Sequence, residues 1–129
     1  MAMDLQTFLA KARAKEEKKL LITEIEVKDF GMVEFVRPKD EEMMKYMTSV
    51  TNANKEDIKI MSDISKEFVY LCCPILQKTE IQREFDIKMP FETPIVLFGF
   101  METMNLAGEI FTKFNGIEVV EEVEETIKN

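Results

Sequence analysis

Four prolines do most to limit how this chain folds. Proline lacks a backbone N–H, fixes its own φ and drives the residue before it out of the helical region. Pro38, Pro74, Pro90 and Pro94 therefore divide the 129 residues into segments that no regular helix or central strand bridges. Pro38 closes a strand, because it cannot donate to the ladder. Pro74 stops a helix. Pro90 and Pro94 bracket a turn, and Thr93-Pro94 fits a helix cap followed by proline at the first helical position.

Between these stops, hydrophobic spacing assigns the elements. Asp4 caps a first helix with Leu5, Phe8, Leu9 and Ala12 on one face, and the charged run from Ala10 to Lys19 ends it. LLITEIEV, residues 20–27, is rich in branched side chains and partly alternating. Lys28-Asp29-Phe30-Gly31 reads as a tight turn with Gly31 at positive φ, and Met32 to Arg37 as a second strand. In that strand Val33 and Phe35 share one face, and Met32, Glu34 and Val36 the other. A lone hairpin is marginal, so its apolar face is expected on helices.

Asp40 is expected to cap the next helix, with Glu41 and Glu42 in its first turn. TNANKED is a loop, with Asn54 or Lys55 opening a helix that runs to about Cys73 on Ile58, Met61, Ile64, Phe68 and Leu71. Thr79 and Gln82 match a capping box, with Ile81 and Phe85 as the short helix's apolar side. Ile95 to Met101 is the most apolar stretch and reads as a buried helix, continued by Leu106, Ile110, Phe111 and Phe114 up to Asn115-Gly116. These elements predict an α+β fold: a predominantly helical single domain over 1–129 with one antiparallel hairpin near the N-terminus. There is no linker or repeat to divide it.

A chain this long buries roughly two-thirds of its unfolded surface and needs no staple or metal. Its 46% hydrophobic and 33% charged residues suit a globular, soluble protein. A net charge of −8 repels phosphate backbones and anionic lipid, which argues against nucleic acid and membrane surfaces as partners. The first residues carry no signal-peptide pattern, and no window approaches the roughly 20 apolar residues of a membrane span, so a cytoplasmic location is expected.

Chemistry has little to work with. The chain has no histidine, so no Ser–His or Cys–His pair exists, and no glycine-rich phosphate loop is present. No convergent polar set is legible, and neither an enzyme nor a cofactor is expected. Adjacent Cα atoms lie about 3.8 Å apart, below the disulfide range of about 4.4–6.8 Å, so Cys72 and Cys73 are not expected to bridge each other. Zinc sites space paired cysteines two to four residues apart and need four ligands. Two readings remain: small buried residues near a helix end, or a reactive thiol. Glu121, Glu122, Glu124 and Glu125 form a solvated helical face or, less simply, hold a cation.

Ten methionines are the unusual count. Methionine fills cores, but its flexible, polarizable side chain also suits surfaces that repack around a partner. Met43, Met44 and Met47 are the candidate patch. The last segment, IEVVEEVEETIKN, is the other candidate: Val119, Val120, Val123 and Ile127 form a stripe against five glutamates. That stripe either docks a partner or packs on its own domain.

The order of pieces resembles the XkdN-like tail assembly chaperones of bacteriophages and phage-derived bacterial elements such as prophages. The pieces are FLAKARAKEEKK ending a helix, a hairpin ending in FVRP, the acidic helix start DEEMM, and a helix running into VYLCCPIL. EIQREFDI, LAGEIFTKFNGI and the terminal EVEETIKN follow. The strand carries Phe35 where tryptophan is expected. The resemblance spans nearly the whole chain, and the order of its pieces carries it. It implies a small protein of the bacterial cytoplasm that binds the long tape-measure protein, keeps it soluble and helps tail-tube subunits gather on it. It implies no cofactor. The alternative is a structural or regulatory adaptor, such as an antitoxin-like or tail-structural subunit, that binds one folded surface permanently.

Overall fold

The computed structural model describes residues 2–116. Helix α1 spans Leu5–Glu17, and the side chain of Asp4 accepts from the Thr7 N–H at 2.7 Å, as its position before the apolar spacing predicts. Strands β1 (Ile22–Val27) and β2 (Gly31–Val36) pair antiparallel, with Ile25 opposite Val33 and Thr23 opposite Phe35. The turn between them places Asp29 at φ 73° and Gly31 at φ 88°, so an aspartate shares the left-handed region with the glycine. Alternation sends Ile25, Val27 and Phe35 fully inward, with Val33 beside them, while Glu24, Glu26, Met32 and Glu34 face out.

Helix α2 (Asp40–Asn52) is followed by α3 (Ile58–Cys72), a 3₁₀ turn at Pro74–Gln77, and α4 (Thr79–Glu84). A second 3₁₀ turn at Pro90–Glu92 leads into α5 (Thr93–Phe98) and α6 (Phe100–Asn115). Helices α3 and α6 form the central pair. Each carries small buried residues, Ser65 on α3 and Thr103 and Ala107 on α6. The hairpin lies across α6 and the first 3₁₀ turn, and α2 and α5 flank α3. The core is Ile25, Val27, Phe35, Phe68, Val69, Leu76, Leu106, Ile110 and Phe114, with both cysteines and Met43. The structure thus has the expected class: predominantly helical α+β with one antiparallel hairpin. No single helix among the described residues is long and apolar enough to cross a membrane.

Several local expectations are corrected. Asp40 is the first residue of α2 rather than its cap; Lys39 takes the cap position, and Asp40 lies 3.8 Å from Arg37 instead. Asp57, not Asn54 or Lys55, caps α3 by accepting from the Ile60 N–H; Asn54 folds the preceding loop by accepting from Glu56. The Thr79–Gln82 box does not form, because the Gln82 amide donates to the Leu76 carbonyl at 2.9 Å and Lys78 occupies the cap position. Thr93 starts α5 and donates to the Pro90 carbonyl, so Pro94 is the second helical residue.

The largest correction concerns residues 95–101. The chain breaks at Gly99, φ 84°, and the helical segments on either side meet at 109°. The break turns Val96, Phe100 and Met101 outward, so the most apolar stretch is half exposed rather than buried. Helix α1 buries no residue: Leu5, Phe8 and Leu9 all remain exposed.

Candidate functional site

The three methionines predicted as a patch sit on one helix but divide in role. Met43 is 5% exposed and belongs to the core, which corrects its assignment to an open surface; Met44 and Met47 are 61% and 56% exposed. Met43 meets the α6 terminus, where the Asn115 side-chain amide donates to its sulfur; Met44, one position on, turns away from that contact, while Met47 lies one turn further along Met43's own face.

All three border one open groove of about 730 Å³. Its apolar wall is Met43, Met44 and Met47 from α2 with Phe111 and Phe114 from α6. Its other wall is the end of α1 and the link from it to the hairpin: Lys15, Lys18, Lys19 and Leu20. Arg37, Asp40, Lys113, Asn115 and Gly116 complete it. Arg37 is fixed by the fold: its guanidinium donates to the Phe114 carbonyl at the C-terminus of α6, where free carbonyls and the helix dipole favour a cation. The Arg-Pro that ends the second strand thus clamps hairpin to α6. Lys19 holds Glu16 at 2.9 Å, and that contact lowers the Glu16 carboxyl below its ordinary range.

A second groove, of about 550 Å³, lies under the hairpin between Phe30, Met32, Ile75, Ile81 and Phe98. Phe30 meets Phe98 edge-on at 5.0 Å across it. A third hollow, of about 50 Å³, lies between α2 and α3, bordered by the Lys45–Glu67 pair at 2.9 Å and the stacked Tyr46 and Phe68.

Cys72 and Cys73 are buried and unbridged, and burial pushes the Cys72 thiol up to about 12 and the Cys73 thiol up as well. Of the two readings, the structure favours small core residues: both thiols stay protonated and shielded at neutral pH. Among the described residues no three His, Cys, Asp or Glu side chains gather to hold a metal, and no buried side-chain nitrogen or oxygen lacks a partner.

Val119, Val120, Val123 and Ile127, with the acidic helix they belong to, lie outside the described residues. What sequence reasoning missed is the basic rim. Its cations come from residues 15–19, 37 and 113, and only the Lys-rich run at the end of α1 signalled them. Comparison with protein-family models, curated proteins and solved structures finds no match to this chain.

Proposed function

We propose that this protein is a phage tail assembly chaperone that binds an apolar helical stripe of the tape-measure protein and keeps that protein soluble while tail-tube subunits assemble. The identity of the partner rests on the order of sequence pieces described above. The observation that carries a binding role is the open groove walled by Met44, Met47, Phe111 and Phe114. Apolar surface of this kind, rimmed by charge, marks a place where another chain docks. Flexible methionines let one wall accept successive turns of a long helix without a fixed pattern.

Co-expression with the long coiled-coil tape-measure protein that this reading requires tests it. The wild-type chain is expected to hold that protein in the soluble fraction, and Met44→Ser with Met47→Ser to release it to the pellet. Met43 stays unchanged because it is part of the core. A wild-type chain that neither binds nor solubilises the coiled-coil protein ends this reading. The adaptor reading has its own support in α1, whose uncovered stripe of Leu5, Phe8 and Leu9 is what a permanent subunit interface leaves on an isolated chain.

A further inference from the structure

Five cations, Lys15, Lys18, Lys19, Arg37 and Lys113, border the methionine groove against one acid, Asp40, in a chain whose net charge is −8. We propose that the partner helix this groove takes is acidic: glutamates or aspartates flank its apolar stripe and pair with the lysines of the rim. The proposal rests on the groove's reading as the docking place of a helical partner. It adds the partner's charge, which apolar contact alone leaves open.

The five cations are not equally available. Lys19 is held by Glu16, and Arg37 lies on the Phe114 carbonyl beside Asp40. Lys15, Lys18 and Lys113 are exposed, and among the described residues none of them has a carboxylate within ion-pair distance. Other lysines do find acids: Lys45 meets Glu67, and Lys66 meets Asp63 and Glu92. With 25 acidic residues against 17 basic ones, three such lysines converging on one groove is the less expected arrangement. Like charges gathered this way repel one another. An incoming acidic surface removes that repulsion and fixes the orientation of what binds.

The apolar wall selects among anions. Met44, Met47 and Phe111 stand in the same groove as the lysines, and Met44 and Met47 are three residues apart on one helix. A helix with apolar anchors at three and four residues buries against such a wall. A phosphate backbone would meet the same cations but leave the methionines uncovered, and the chain's net charge repels it. Lys15 and Lys18 belong to the end of α1 and Lys113 to α6, so the matching acids fall at more than one place along the stripe.

Two synthetic peptides of about 20 residues test this, sharing one leucine stripe at helical spacing and differing only in flanks of glutamate or of lysine. Binding of each to the full chain is read by fluorescence anisotropy at about 50 mM salt, where exposed charges are weakly screened. The two sources of charge make opposite forecasts: the chain's net charge favours the lysine peptide, the groove the glutamate peptide. The glutamate peptide is expected to bind about tenfold more tightly, the combined effect of three exposed ion pairs. Salt at about 1 M is expected to abolish that preference. K15E/K18E/K113E is expected to reverse it, and K15Q/K18Q/K113Q, which brings in no new charge, to remove it should the reversed chain fail to fold. M44S/M47S is expected to weaken the glutamate peptide about tenfold. Equal or tighter binding of the lysine peptide by the wild-type chain, or binding of neither, overturns the proposal. So does a glutamate preference that survives K15Q/K18Q/K113Q, or affinity untouched by M44S/M47S, since the peptide then sits elsewhere. Displacement of the glutamate peptide by a single-stranded DNA of about 20 nucleotides also overturns it, because the lysines then serve phosphates. Co-expression is read separately. A tape-measure protein held soluble without any glutamate preference leaves the chaperone reading standing, and the converse result leaves the groove its acidic helix but removes that partner.

Discussion

Glu24 and Glu34 stand directly opposite each other on the open face of the hairpin. Like charges in that relation oppose strand pairing. Glu24→Lys replaces repulsion with attraction and is expected to stabilise the fold by about 0.2–1 kcal/mol, seen as a rise in melting temperature. An unchanged or lower midpoint refutes the pairing as drawn. The cysteines make a different prediction. An acid whose folded pKa is raised binds its proton more tightly folded than unfolded. Its stabilising effect is therefore complete below the unfolded pKa, near 9, and is lost as pH climbs toward about 12. Tyr46, pushed up to about 12 by burial, acts in the same sense above its own ordinary value. Urea unfolding is expected to give a flat stability between about pH 6 and pH 8.5 and a steep decline above it, about 1.4 kcal/mol per pH unit for each group that ionises only when unfolded. Cys72→Ala removes one share of that slope. A Cys72→Ala chain with an undiminished slope would show that the thiol ionises while folded. The cysteines were nearly legible in advance, because adjacency excludes a bridge on geometry alone. The caps were less so: Asp4 caps where its spacing places it, whereas the Gln82 amide finds the Leu76 carbonyl, which sequence spacing cannot reveal.

At the scale of elements, the sharpest lesson is Gly99. An isolated glycine inside an apolar helical run reads as tolerated, since it costs only about 1 kcal/mol there. Here it ends one helix and starts the next, and Thr103 closes the joint by donating to the Gly99 carbonyl at 2.7 Å. The apolar run carried no sign of the break because its residues are hydrophobic on every side, so a straight helix and a bent pair predict the same pattern. Nothing lies within 4 Å of a Cβ added at Gly99, so the cost of Gly99→Ala is backbone strain alone. Chemical denaturation is expected to show a loss of about 1–3 kcal/mol. No measurable loss would mean that the joint relaxes without the positive φ. The hairpin, set by period-two alternation, and the end of α3, set by Pro74, appear within a residue or two of where the sequence places them, whereas the start of α3, which neither signal marks, does not. The methionine patch was legible because it lies on one helix. The basic rim was not, because the fold gathers it from three segments distant in sequence.

Over the whole molecule, stability is distributed unevenly, and α1 stands at its low end. Its thirteen residues bury no side chain, while α3 and α6 share the core. Isolated helices shorter than about 12–15 residues are marginal in water, because nucleation is costly and only tertiary packing offsets it. Backbone amides of α1 in the free chain are therefore expected to exchange hydrogen within about tenfold of unstructured rates, while core amides of α3 and α6 approach the protection of global unfolding. Leu5→Ser with Phe8→Ser should then leave the unfolding midpoint within about 0.5 kcal/mol of wild type, since neither side chain contributes to the core. If the proposed partner helix covers this stripe as well as the methionine groove, adding it slows exchange in α1, and the double variant loses that gain without losing its fold. Strong protection of α1 in the free chain would contradict the uncovered stripe. Its dependence on protein concentration would then tell whether a second copy supplies the cover.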